Sequence, residues 1–340
     1  MYSERDIDNA VTAGAITPEA AAALRAHVAA RHETPAVDEE HFRLLTGFND
    51  IFVAIALVLL FVALGQIGQA IARPVGAVLV ATASWMLAEY FTARRRMALP
   101  SILLLIAFVG GIGWAIFGAG MTVMPDMGDR GSTLLAAGSA LAMAGGAWLH
   151  WRRFMVPITV AAGAAALVGT AVSLLLAAMP DIRGVAWPLL LIGGLAVFAV
   201  AMRWDMSDTE RRTRRSDVAF WLHLAAAPMI AHSVFQMLGV FRGEIGAGMA
   251  LVVLALYVVF AAIALAVDRR ALLVSGLAYV LAALYALFRS AGAIELGAAL
   301  TAFVIGSALL SLSAFWQPMR RAVVTALSPS LRRRLPPVHA

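Results

Sequence analysis

The chain has 340 residues, no cysteine and no lysine, and few charges of any kind. Without cysteine it can form neither a disulfide nor a thiolate metal centre. A phosphate-cradling Gly loop ending in Lys-Ser/Thr is absent, as are His-Glu-x-x-His and Gly-x-Ser-x-Gly, so the commonest nucleotide-hydrolase, metallopeptidase and serine-hydrolase signatures are missing. No secretory leader is legible: the first apolar run begins near Ile51, behind a polar segment far longer than such a leader allows. Only 14% of residues are charged. A soluble protein carries nearer a quarter.

What is present is apolar. Hydrophobic residues make up 62% of the chain and the mean hydropathy is +0.86. Apolar runs of about 20 residues recur, the length that crosses roughly 30 Å of hydrocarbon as a helix. The alternation of an outer-membrane barrel is missing, so the expected fold is an all-α integral membrane protein. Ten spans are predicted near 50–71, 74–92, 98–121, 131–149, 156–178, 185–202, 217–238, 246–267, 271–288 and 294–316. The glycine pairs Gly110-Gly111, Gly145-Gly146 and Gly193-Gly194 are expected where spans approach closely.

Orientation follows from arginine. On alternate sides of these spans the 26 arginines divide 21 to 5, the sparse side holding Arg73, Arg130, Arg183, Arg242 and Arg289. Positively charged loops stay cytoplasmic, which predicts both termini inside. The abundance of arginine and alanine reads as the coding bias of a GC-rich bacterial genome, and the expected location is the bacterial inner membrane. The net charge of +6 is then a property of loops facing anionic inner-leaflet lipid, not of a nucleic-acid binder.

Three segments are expected. Residues 1–46 read as a cytosolic helical hairpin, broken at Gly14 and restarted by Thr17 as N-cap, Pro18 at the first helical position and Glu19 behind it. Too small to bury much of a core alone, the hairpin is expected to dock on the membrane domain or a cytosolic protein. Residues 47–318 form the bundle and 319–340 a basic cytosolic tail. Asn49 and Asp50 read as cap and first-turn acid of the first span. The blocks Asp50–Arg153 and Asp217–Arg321 begin and end alike, as a parallel four-helix repeat would, although the topology by itself also puts arginine at every second loop.

The hairpin motif Gly14-Ala15-Ile16-Thr17-Pro18-Glu19-Ala20, the Asn49-Asp50 pair, and the ending through Trp316, Arg320-Arg321 and Leu335-Pro336-Pro337 resemble a family of polytopic bacterial inner-membrane proteins built on a domain of unknown function. That resemblance implies a multi-span helical fold and no assigned activity.

Candidate functional residues cluster in the seventh span. Burying an ionisable or amide side chain in hydrocarbon costs several kcal/mol unless it is paired or faces water. Yet Ser216–Leu238 carries Asp217, His223, Pro228, His232 and Gln236. At 1.5 Å per residue His223 and His232 lie about 9 and 22 Å from Asp217, on opposite faces of a regular helix. His232 and Gln236 share a face. Pro228 removes a backbone hydrogen bond and is the expected hinge. Separate depths and faces exclude a shared metal or haem site, so no cofactor is expected. Glu89, near the end of the second span, is a candidate coupling carboxylate or a partner for Arg94 or Arg95.

Two functions follow. One is a secondary transporter or exporter of a small solute, coupled to protons through His223, His232, Gln236, Glu89 or Asp217. The other is a non-transporting scaffold, assembly or envelope-stress component acting through the hairpin. No signature supports an enzyme.

Overall fold

The computed structural model describes residues 4–31, 48–179, 184, 186–208, 213–240, 246–292, 296–332 and 335–336. Helix is the only regular structure among them. The chain divides into two units, residues 1–44 and 45–340.

In the first unit, α1 (Glu4–Thr12) and α2 (Pro18–Arg31) make the expected hairpin. Gly14 adopts φ +70°, a conformation that costs glycine little. Thr17 Oγ1 accepts the amide of Ala20 at 3.2 Å, which is the predicted cap with Pro18 at N1. The rest of the segment 1–46 beyond Arg31 lies outside the described residues, as do Arg183 and Arg242.

The second unit holds ten helices long and apolar enough to cross a membrane. They are α3 (Phe48–Ile71), α4 (Arg73–Ala88, prolonged by a π-helical turn Glu89–Arg94), α5 (Ala98–Val123), α6 (Asp129–Phe154), α7 (Ile158–Ala178), α8 (Ala186–Met206), α9 (Arg214–Met237), α10 (Ala247–Val267), α11 (Ala271–Ser290) and α12 (Gly297–Ala314). Each matches one predicted span. Their outward faces carry large apolar side chains such as Ile71, Phe303 and Leu310, each more than 70% exposed, which suits hydrocarbon rather than water.

Several boundaries differ. Helix α8 runs on to Met206, four residues past the predicted end of the sixth span, and takes Asp205 into its last turn. Asn49 lies inside α3, not at its cap, with Asp50 buried in the first turn. Helix α6 runs on to Phe154, taking Trp151-Arg152-Arg153 into its last turn, where cations offset the carbonyl end of the dipole. Met155, at φ 55°, ends it. The tenth span closes at Ala314, and Trp316 starts a separate helix, α13 (Trp316–Ala326), before the short α14 (Pro329–Arg332).

Two groups of helices form around separate cores. Leu57, Ala88 and Leu104 join α3, α4 and α5, and Leu105, Val109 and Ala147 join α5 to α6. A larger core runs through α7 to α13. Helix α7 touches both, through Ile158 and Ala162 on one side and Ala161 on the other. Within the larger group α9 is central: 56% of its apolar window is buried, against 17% for α3, α8 and α12. A helix that carries polar groups inside an apolar run has to bring them to partners, and the packed interior is where those partners are.

Candidate functional site

Asp205 sits in the last turn of α8, and His223 about three turns into α9. The described residues that flank the connection between these helices are bonded to each other. Thr213 donates both its amide (2.9 Å) and its hydroxyl (2.6 Å) to Asp208 Oδ2, and its Oγ1 accepts the amide of Arg215 to cap α9. This fixes the register in which α9 starts. His223 then donates Nε2–H to Asp205 Oδ2 at 2.8 Å, with the edge of its ring against Phe198 of α8. A carboxylate only accepts, so the proton on Nε2 is assigned.

The third member comes from the corner between α10 and α11. Arg269 Nη2 donates to Asp205 Oδ1 at 2.6 Å, and Nε to Oδ2 at 3.4 Å. The same Nη2 lies 3.4 Å from the carbonyl of Ser216, and the guanidinium stands over Phe220 at 5.9 Å. Asp205 and His223 side chains are each 2% exposed and Arg269 6%. One carboxylate and one guanidinium balance each other. The imidazole is the only member of the trio able to change charge at physiological pH.

A second polar level lies about 13 Å further along α9. His232 Nδ1 is hydrogen-bonded to the hydroxyl of Tyr279 on α11, and Gln236 Nε2 stands 3.5 Å from His232 Nε2. Trp187 of α8 meets the imidazole edge-on at 5.1 Å, and Phe235 stacks on Tyr279 at 4.2 Å. The two histidines do not meet. Both touch α8, which runs beside α9 at both levels. Pro228 lies between them on the exposed side of a helix continuous from Arg214 to Met237. Asp217 is exposed in the first turn of α9, where it complements the helix dipole, and joins neither imidazole.

Glu89 is far from these. It accepts two hydrogen bonds from Arg153, at 2.9 Å from Nε and 2.6 Å from Nη2. The predicted partners were Arg94 and Arg95, and the extra turn of α6 is what brings Arg153 alongside instead. With side chains 38% and 53% exposed, the pair is worth at most about 1 kcal/mol. Glu89→Gln is therefore expected to leave the thermal midpoint of the purified protein within about 2 °C of the parent. One turn deeper, His150 is wholly buried in a box formed by Trp85, Phe108 and Phe154, its Nδ1 3.2 Å from Thr159 Oγ1.

Sequence reasoning missed Asp205 and Arg269. Asp205 follows the predicted end of the sixth span, and Arg269 was counted with solvated loop arginines. A usable signal existed: each is an acid–base neighbourhood abutting a span, Arg203-Trp204-Asp205 and Asp268-Arg269-Arg270.

No family model, curated protein or solved structure matches this chain. The family resemblance therefore rests on its short motifs alone.

Proposed function

We propose that this chain is a secondary transporter or exporter of a small solute, coupled to protons through the His223–Asp205 pair. In this reading it lies in the bacterial inner membrane with both termini cytoplasmic, its arginine-rich loops against anionic lipid, and α3–α6 and α9–α12 are related as a parallel repeat. The observation that carries the reading is one titratable imidazole sharing a buried carboxylate with a guanidinium inside membrane-length helices. Structural ion pairs also occur in bundles, where a neutral imidazole would serve only as a further donor to the carboxylate.

With His223 neutral, Asp205 and Arg269 are balanced. A proton on Nδ1 adds a positive charge to the site, and Asp205 must divide its two oxygens between imidazolium and guanidinium. The hold on Arg269, and with it on the α10–α11 corner, weakens. His232, with Tyr279 and Gln236, supplies a second polar station on the same helix, and Pro228 the point between them where α9 lacks a backbone hydrogen bond.

One observation favours the scaffold alternative. Between the two polar levels α9 is packed solidly, with Ala226, Ala227 and Ala231 entirely buried. Proteoliposomes loaded with a pH-sensitive dye separate the readings. Challenged with a panel of amino acids, sugars and organic cations under an imposed proton gradient, the native protein is expected to give solute-dependent acidification that His223→Gln abolishes. Equal acidification in His223→Gln removes this site from coupling. Silence of the native protein across the panel turns the choice to the scaffold.

A further inference from the structure

The α10–α11 corner faces two ways. Arg269 reaches Asp205 beside His223, while its chain neighbour Asp268 accepts the indole N–H of Trp316 at 2.7 Å and stands 3.5 Å from Arg320 Nε. Asp268 ends α10 at φ 60°, ψ 46°, a left-handed conformation that aspartate tolerates because its short polar side chain bonds locally. That reversal lets two consecutive side chains serve different helices. Arg270, next in line, lies over the Trp316 ring at 4.7 Å.

The α13 side of this contact is equally well anchored. Arg320 has no exposed surface at all, and its Nη2 donates to the carbonyl of Pro336 at 2.7 Å. Trp316 and Val324 of α13 are buried to within 4%. The start of the segment expected to be a basic cytosolic tail is fastened to the corner through Asp268. A buried arginine with a carboxylate partner is costly to separate from it, since an unpaired charge would be left inside the protein.

We propose that α13, pinned through Arg320 to the carbonyl of Pro336, is a latch that closes this end of the α8–α11 group over the Asp205–His223 pair. Seating of α13 on Asp268 and seating of Arg269 on Asp205 are one event, joined by the peptide bond between the two corner residues. Releasing the latch opens the pair to water. The device does not depend on any solute being moved, and its test is separate from the flux experiment.

The chain has no cysteine, so a single one can be introduced and read without background. Val218, 1% exposed in the second turn of α9, is the reporter position, since Val218→Cys removes volume and adds none. Thr92→Cys, 8% exposed in the π-helical turn of the other group, is the control. In purified full-length protein, a hydrophilic maleimide is expected to label Val218→Cys slowly. Adding Asp268→Asn, which keeps the left-handed backbone but removes the charge, should raise the rate about tenfold, through more frequent local opening. Trp316→Phe, which removes the indole donor and part of the ring under Arg270 but keeps the charge of Asp268, should raise it less. The rate at Thr92→Cys should not change. Equal labelling of Val218→Cys with and without Asp268→Asn overturns the latch. If the control also accelerates, Asp268→Asn has loosened the bundle generally, and Trp316→Phe decides: an unchanged rate there overturns the proposal as well.

Discussion

Asp205→Ala is expected to cost the second unit about 3–5 kcal/mol, the loss that follows when one partner of a buried ion pair is removed. The cost comes from what stays behind. Arg269, 6% exposed, keeps its charge under all conditions and loses both carboxylate oxygens at once, while His223 loses the acceptor of its Nε2–H. Asp205→Asn should cost less, because its carbonyl oxygen still accepts one of these bonds. The pair Asp205→Leu with Arg269→Met should recover much of the loss, since apolar side chains of similar volume can replace a buried pair at little net cost. Thermal unfolding in detergent of the singles and the double completes the cycle, with a coupling of more than about 2 kcal/mol expected. Arginine has one escape: its long stem can carry the head to the nearby water boundary. If Asp205→Ala costs under about 1 kcal/mol, Arg269 has taken that route and the trio does not hold the helices together.

The parts of this molecule that were legible in the sequence share a physical cause. A span must be long and apolar enough to satisfy its own backbone in hydrocarbon, so α3 to α12 stand out one by one without reference to any neighbour. The hairpin restart at Thr17-Pro18 is likewise local, a cap that needs only the three residues after it. The central place of α9 was legible for a related reason. A helix carrying His223, His232 and Gln236 is unfavourable against lipid, and α9 is the most buried of the ten.

The partners were not legible. Glu89 finds Arg153, and Asp205 finds Arg269, each 64 residues away in sequence. Whether an arginine beside a span end turns inward or outward depends on the corner that carries it, here on the left-handed residue Asp268, and hydropathy contains nothing about that turn. Counting Arg269 and Arg320 as loop charges missed their environment, since both are buried beside carboxylates. The glycine pairs behaved differently. Gly193 and Gly194 both face packed neighbours, whereas Gly110 and Gly145 meet open space and only their neighbours Gly111 and Gly146 face packed helices. Adjacent helical residues lie about 100° apart, so one member of such a pair readily falls off the seam.

The tightest approach is at single glycines that no pairing rule marks. Helices α3 and α4 are joined through Ala72 alone, in an extended conformation, with Pro74 at the start of α4. Reversing direction over one residue forces the two backbones together. A Cβ on Gly68 would lie 2.2 Å from Gly76 Cα and 2.3 Å from Gly76 N, and one on Gly76 would lie 2.4 Å from the Gly65 carbonyl oxygen. Those neighbours are main chain, so no rotamer relieves the overlap, and the helices must part or the turn must unwind. Gly68→Ala is expected to cost about 3 kcal/mol or more, at the top of the range for overpacked sites. Gly65→Ala supplies the contrast in the same helix: its own Cβ would meet nothing within 4 Å. There the better helix propensity of alanine should add up to about 1 kcal/mol of stability. Opposite signs for two substitutions three residues apart, measured as thermal midpoints in detergent, would show that backbone contact between α3 and α4, not helix propensity, sets this turn. Matching signs would mean that the two helices have room to separate.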